Sequence, residues 1–457
     1  MKELQTKVKH FSRFQAMALW PLIIFLILAG SIEAVGQTKV PFRTVDSLTY
    51  MLYEQGQWQK LIKTGNTAVK QGHDYYYMRM RLGIAYFKQQ HYRLAAKHFE
   101  KALEFNSADK NAINYLYQCY QWGGLQIEAA EMTKRFPISF GTTSDTPDLI
   151  KSVAVYAGGA VSGSAVKLND VDLDGEANIY GEVSGNGNLL YAHLGLTLAP
   201  AQHLRWYLGY THLQLAKKQR IIFSGTDTLD NNYNLKQQQF YSNWPLRVAK
   251  GLYLIPAFDL IRISDRPYVV IYDSIKNKYD INRSEILLTN YIASLKLIKE
   301  MPHLSMGGVV SKSHLNNKDQ WQTTLITAIY PFANLNLYGF SHISALIEDE
   351  ILNWHFKQGL SLKILSNLWM EASYHCGHLK NAHAENGLLI FNSTGTIISR
   401  STFTAFILLN EKLTLQLDYN FLKHQDQYLE YQDYNTYAWK PVQYNNHHIM
   451  GGLKWKF

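Results

Sequence analysis

Only two cysteines, Cys119 and Cys376, occur in 457 residues, and they fall in regions of different periodicity, so neither a disulfide framework nor a cysteine-ligated metal cluster is expected. The common catalytic signatures are missing as well. There is no Gly-x-Ser-x-Gly elbow, no His-Glu-x-x-His helix, no Gly-Lys-Ser/Thr phosphate loop and no Cys-x-x-Cys pair, and the expectation is a protein that is not an enzyme. Beyond the first segment no uninterrupted apolar run reaches the roughly 20 residues of a spanning helix. Any further contact with lipid therefore falls to strands. A net charge of +9 favours acidic partners, but no basic run dominates, so nucleic acid is not an expected partner.

The amino-terminal segment carries Lys2, Lys7, Lys9 and Arg13, then the apolar run "MALWPLIIFLILAG", then the small residues Ala34 and Gly36. This is the build of a secretory signal over residues 1–36, with cleavage before Gln37. Export follows from it.

Residues 37–137 show helical spacing of apolar positions. In "LGIAYFKQQHYRLAAKHFEKALEFN", residues 82–106, the positions Leu82, Gly83, Tyr86, Tyr92, Ala95, Phe99 and Ala102 resemble a tetratricopeptide repeat. Small residues there let two antiparallel helices approach while aromatics fill the groove. A shift of about 34 residues finds weaker copies, at Trp58, Leu61 and Ala68 upstream and at Leu116, Tyr120 and Ala129 downstream. Three units are expected. Departures from the repeat are Arg79 in place of an early tryptophan, and Gly65 and Thr133 in place of a bulky residue.

Residues 138–150, within "PISFGTTSDTPDLI", read as a linker. From residue 151 onward the period becomes two. Leu190, Ala192, Leu194, Leu196 and Leu198 alternate with Tyr191, His193, Gly195 and Thr197; Leu413, Leu415, Leu417, Tyr419 and Phe421 alternate with Thr414, Gln416, Asp418 and Asn420. Such alternation also suits a soluble sandwich, so the connections decide. Short turns at 200–203, 250–251, 299–302, 331–333, 365–367 and 410–412 separate long polar stretches at 162–187, 222–234, 264–282, 377–386 and 424–445. That asymmetry is the pattern of an outer-membrane barrel, with tight turns toward the periplasm. The fold class is then α + β in two parts: helical repeats over 37–137, and over 151–457 a transmembrane antiparallel barrel of about 14 strands, between 12 and 16.

The chain closes on "GGLKWKF". As a last strand it turns Ile449, Gly451, Leu453, Trp455 and Phe457 toward lipid. Leu453, Trp455 and Phe457 also resemble the terminal signature of outer-membrane barrels, which implies the barrel assembly machinery as a partner. Trp206, Trp321, Trp354 and Trp369, at strand ends, read as girdle or packing residues.

Several candidate sites emerge. "DVDLDG" places Asp170, Asp172 and Asp174 as the start of a calcium loop, but Gly181 stands where the closing acid belongs; the alternatives are a calcium contact and a solvated acidic loop. No other cofactor is expected. Arg205, Arg247, His355, Lys357, Lys363, Glu371, Asp418 and Lys454 fall on inward strand faces. They either make the lumen attractive to an anionic solute or polysaccharide, or pair with one another and plug it. On the helices, Tyr75, Tyr76, Arg79, Arg81 and Lys88 are candidates for docking a periplasmic protein.

In architecture the chain resembles envelope proteins of Gram-negative bacteria in which a periplasmic tetratricopeptide region precedes an outer-membrane barrel, namely the exopolysaccharide-export porins and the YaiO-like barrels. The resemblance implies a pore, or an export or envelope-assembly component, seated in the outer membrane with its amino-terminal region in the periplasm. The exporters carry many more repeats than this chain. The alternative is a barrel that transports nothing and anchors a periplasmic interaction scaffold.

Overall fold

The structure is a computed structural model that describes residues 41–136, 149–163, 180–201, 204–223, 227–273, 275, 278–393, 395–431 and 437–457. The expected signal over 1–36, most of the linker and the Asp170, Asp172 and Asp174 loop lie outside the described residues.

Among the described residues six helices come first: α1 (Phe42–Glu54), α2 (Trp58–Lys70), α3 (Tyr76–Lys88), α4 (Tyr92–Phe105), α5 (Lys110–Trp122) and α6 (Gln126–Arg135). Alternate helices start 34 residues apart, at positions 42, 76 and 110 and at 58, 92 and 126. Three copies of one helix pair are thus stacked. Leu82, Ala85, Ala95, Phe99 and Ala102 are wholly buried between the pairs. Gly83 sets how closely α3 and α4 approach, because a Cβ there would meet Phe99 Cε1 at 2.7 Å. Burial of a ring such as Phe99 contributes about 1.5–3 kcal/mol. Short helices of this length need such packing, since isolated helices under about 12–15 residues are marginal in water.

The rest of the chain is one closed antiparallel barrel of fourteen strands, as the alternation and turn count lead one to expect. In chain order the strands are β1 (Ile150–Ser162), β2 (Tyr180–Ala201), β3 (Leu204–Phe223), β4 (Asp227–Asn243), β5 (Leu246–Ala249), β6 (Leu252–Asp265), β7 (Tyr268–Asp273), β8 (Lys278–Arg283), β9 (Ile286–Glu300) and β10 (Leu304–Leu315). They continue as β11 (Lys318–Ile329), β12 (Leu337–Glu348), β13 (Ile351–Leu365), β14 (Leu368–Leu379), β15 (Ala382–Ala384), β16 (Leu389–Phe391), β17 (Thr396–Leu408), β18 (Leu413–Tyr431) and β19 (Tyr437–Lys456). Short β5 continues the line of β4 along β6, while the pairs β7–β8 and β15–β16 stand apart from the barrel. Closure comes from β1 against β19, from Ser152 opposite Lys456 to Ser162 opposite Asn446.

Alternation along the strands sets the two faces. On β13, Leu352, Trp354, Leu360, Leu362 and Ile364 are exposed outward, whereas His355 and Ser361 are buried inward. Ile449, Leu453 and Trp455 are exposed in the same way on β19. Such a belt is stable only against hydrocarbon, and closure leaves no backbone edge unpaired there. Glycine–aromatic pairs fill the inner wall. A Cβ on Gly359 would lie 2.2 Å from Phe340 Cζ, and one on Gly452 would lie 2.0 Å from Tyr156 Cδ1.

All six expected short turns fall at one end of the barrel. The opposite end departs from the expectation in two ways. First, the stretches 222–234 and 424–445 are mostly strand: β3 reaches Phe223 before β4 begins at Asp227, and β18 reaches Tyr431 before β19 begins at Tyr437. Crossing hydrocarbon takes about 9–11 residues, so strands of 20 residues project beyond it, where polar side chains suit both faces. Second, Asn316-Asn317 and Asp349-Glu350 make two-residue hairpins with positive φ at all four residues, between 50° and 65°.

Candidate functional site

The lumen is not empty. The connection between β14 and β17 folds back into it as a hairpin, with Ala382 opposite Phe391, His383 opposite Ile390 and Ala384 opposite Leu389. Left-handed backbone at Asn381, Glu385 and Asn386 makes the entry and the tip. Polar atoms along the hairpin meet the wall. Gln322 Nε2 donates to the His383 carbonyl at 2.9 Å, and the His383 N–H donates to Gln322 Oε1 at 3.2 Å. His383 Nε2 lies 2.7 Å from Ser311 Oγ. At the tip, Lys357 pairs with Glu385 at 2.5 Å, Ser294 Oγ donates to Asn386 Oδ1 at 3.0 Å, and Gln239 donates to the Leu388 carbonyl at 2.8 Å. Asn392 Nδ2 closes the base on Gln237 at 2.9 Å.

Apolar contacts hold the other edge. Phe391 packs with Leu346, Leu379, Ile397 and Leu422, and Ile390 joins Ile261, Ile263, Ile292 and Leu315. These wall residues point inward, where an aqueous channel would favour polar side chains. The hairpin divides two chambers. Toward the short-turn end lies a polar cavity of about 410 Å³ that includes Lys296, His342, His355, Lys357, His375 and Glu385. Toward the opposite end lies one of about 630 Å³ with largely aliphatic walls.

At the short-turn end the helices sit against the barrel mouth. Glu128 of α6 is buried; it accepts from Arg247 Nε at 3.0 Å, from the Gly251 N–H at 2.7 Å and from Tyr253 Oη at 3.0 Å. Arg93 of α4 pairs with Glu300 at 3.0 Å, donates to the Gly123 and Met301 carbonyls, and lies 3.6 Å over the Tyr330 ring. Its own backbone N–H donates to the Ala333 carbonyl at 2.9 Å. Glu300 and Tyr253 are inward-facing strand residues, so the helical region covers part of the opening.

The sequence-predicted lumen residues divide accordingly. His355 lies with its Nδ1 2.9 Å from His375 Nε2; Glu371 accepts from Tyr338 Oη at 3.0 Å, and Asp418 accepts from Thr404 Oγ1 at 2.6 Å. Lys357 latches the hairpin, Lys363 lies 4.6 Å over Trp369, Arg205 stands on the inner wall, and Lys454 is exposed at the mouth. Arg247 differs: it reaches out of the barrel to Glu128. Trp369 also turns inward, donating to the Leu335 carbonyl at 3.1 Å, and takes no part in an outer girdle. The aliphatic walls and the hairpin go beyond the sequence expectation. Their signal lies in "GLLIFN", four apolar residues in a row inside a polar connection.

On the helices, four of the five docking candidates have internal partners. Tyr75 Oη and Arg81 Nη1 both donate to Asp46 Oδ1, at 2.6 and 2.7 Å, and Tyr76 Oη donates to Asp109 Oδ2 at 2.6 Å. Arg79 grips Asp74 with two bonds of 2.6 Å and reaches His98 Nδ1 at 3.2 Å. Lys88 is exposed. The Tyr75 hydrogen bond and the Arg81 charge hold the Asp46 carboxyl below its ordinary range, and the Arg79 fork does the same for Asp74. Burial, with the Arg79 charge beside it, brings His98 down to about 4, so the ring is neutral and accepts from the guanidinium.

The chain matches no protein-family model, and no curated protein is similar to it. Among solved structures it is similar to the toluene transporter TodX of Pseudomonas putida, at 10% identity and a TM-score of 0.44, over 68% of this chain and 91% of that one. It is similar also to a FadL homologue of Pseudomonas aeruginosa, at 10% identity and a TM-score of 0.42, over 68% and 91%.

Proposed function

We propose that this chain is an outer-membrane transport barrel whose lumen is closed by its own hairpin, with a tetratricopeptide-type region on the periplasmic mouth. The observation that carries this reading is the hairpin between two chambers. It is held by side-chain hydrogen bonds, apolar contacts and one ion pair and is not woven into the barrel sheet, so it can leave without breaking a single wall ladder. A plug needed only for stability has no reason to leave chambers on both sides of it. The apolar outer belt supports the membrane location, and the short turns, the start of β1 and the end of β19, all on the side of the helices, support the periplasmic orientation.

The test is planar-bilayer conductance of the full chain against a variant in which residues 381–392 are replaced by a Gly-Ser linker. The wild type is expected to be mostly closed and the variant to conduct steadily. A silent variant that still shows heat-modifiable mobility on a gel overturns the transport reading. The second reading, a non-transporting anchor, would then stand, and the cover that Arg93 and Glu128 place over the mouth favours it.

A periplasmic protein remains the proposed partner of the helical region. With Tyr75, Tyr76, Arg79 and Arg81 engaged internally, the surface around Lys88 is the part left to meet it. Pull-down with the full chain should lose that partner on Lys88→Glu. Leu453, Trp455 and Phe457 are the proposed signal to the assembly machinery; deletion of Phe457 should lower the membrane-inserted fraction in cells while leaving refolding into detergent unchanged.

A further inference from the structure

The chamber beyond the hairpin has walls of two chemistries, and neither is completed by the described residues. Leu213, Leu215 and Leu235 of the barrel face Leu389 and Ile390 of the hairpin across it, an aliphatic surface that water wets poorly. One side of the chamber instead gathers hydrogen-bond donors. On β18, Leu422 stands opposite Arg400 of β17, and Asn420 and His424 flank Leu422 on the same inward face.

Two of these donors, on Asn420 and His424, lack acceptors among the described residues. Asn420 Oδ1 takes Arg400 Nε at 3.0 Å, Arg400 Nη2 at 2.7 Å and Thr402 Oγ1 at 2.8 Å, which leaves its Nδ2 buried and without a partner. His424 Nε2 lies 3.1 Å from Asn446 Nδ2; with the amide so placed Nε2 accepts and the proton sits on Nδ1, and both that Nδ1 and Asn446 Oδ1 are buried and without a partner among the described residues. Among the described residues the Arg400 guanidinium directs its bonds to a neutral amide and not to a carboxylate. A buried donor left unmade costs about 1–3 kcal/mol, and folded proteins keep few. Two such donors and one acceptor, beside an arginine that bonds no carboxylate among the described residues, describe a place made for a polar head group that brings acceptors and negative charge.

We infer that this chamber binds a single-chain amphiphile, its aliphatic body along the leucine walls and its oxyanion head on Arg400, Asn420 and His424. The inference deepens the transport reading by naming the class of cargo, and rests on it for what becomes of the bound molecule. The hairpin contributes Leu389 and Ile390 to the apolar wall, so an occupant touches the closing element itself.

The experiment reads binding without a current. The full chain in lipid nanodiscs is titrated with a fluorescent polyene fatty acid, the corresponding alcohol and an alkyl phosphate, each against protein-free discs. Saturable binding of the acid or the phosphate, tighter than the alcohol by about tenfold, is expected; the tighter of the two names the head group. Asn420→Asp keeps acceptor oxygens for Arg400 and Thr402 but turns the unpartnered donor into an acceptor. It should weaken the anionic ligands about tenfold and leave the alcohol unchanged. Leu215→Gln, an independent change in the apolar wall, should weaken all three. Equal binding of acid and alcohol, or no saturable binding in folded protein, overturns the inference. A silent bilayer with intact binding overturns only the transport reading.

Discussion

Glu128 is the single residue on which contact between the helical region and the barrel is most exposed to test. Its carboxylate is buried and holds three donors: Arg247 Nε at 3.0 Å, the Gly251 N–H at 2.7 Å and Tyr253 Oη at 3.0 Å. Glu128→Ala leaves the last two without a partner in a site that water does not reach, at about 1–3 kcal/mol each. Arg247 is a third exposed and recovers hydration, so its share is small. The expected loss is about 3 kcal/mol of local stability. Arg93, with Glu300 and the Tyr330 ring, continues to hold α4, so the effect should be confined to α6 and the turn at Gly251.

Hydrogen exchange reads this directly. At one order of magnitude per 1.4 kcal/mol, amides of α6 and of Gly251 should exchange about a hundredfold faster in Glu128→Ala, while those of α1 to α3 and of the strands away from the turn keep their rates. Glu128→Gln, which retains one acceptor oxygen, should show an intermediate loss. Arg247→Ala alone should change little, and the double variant should look like Glu128→Ala. If exchange at Gly251 rises less than threefold in Glu128→Ala, the buried carboxylate does not fasten the two parts.

Other predictions are briefer. Gly359→Val puts side-chain carbon where the Phe340 ring lies and should cost about 1–3 kcal/mol; the folded fraction on heat-modifiability gels should fall. Lys357→Ala removes the ion pair at the hairpin tip and should turn a closed barrel into one with brief openings in bilayer recordings. His98 titrates near 4 in the fold against 6.5 for the free side chain, so the unfolded chain takes up its proton first as pH falls. The helical region should thus have full stability above about pH 6.5 and lose roughly 3 kcal/mol between there and pH 4, a loss absent in His98→Gln and measurable by thermal melts.

What the chain declares about itself depends on whether a local rule survives into the fold. The helix pairs were legible because Gly83, Tyr92, Ala95 and Phe99 answer to one another within a single repeat, and the next pair begins 34 residues later. The fourteen strands were legible because a lipid-facing position must be apolar whatever the partner strand, so Leu352, Trp354, Leu360 and Leu362 mark their face alone. Partners across long separations were not. Arg247 sits in the inward register and reads as a lumen charge, yet Glu128, 119 residues earlier, claims it. Tyr75, Tyr76 and Arg81 read as a presentable surface because Asp46 and Asp109 lie a whole repeat away.

The hairpin shows where a stronger inference was open. An external connection in water is penalised for every exposed apolar side chain, and "GLLIFN" carries four in succession. The inner face of the strands carries the matching anomaly: Leu235, Ile261, Ile263, Leu288 and Leu422 sit at inward positions in the half of the barrel away from the helices. A lumen filled with water does not ask for them. Either set alone fits more than one arrangement of the chain, but the two together require that apolar loop and apolar wall meet, which only an inward fold of that connection achieves. The hairpin covers part of that wall and leaves Leu213 and Leu215 facing a chamber it does not fill. The same reasoning therefore reaches past the hairpin, because an apolar wall that the described residues do not cover is one that something else must cover.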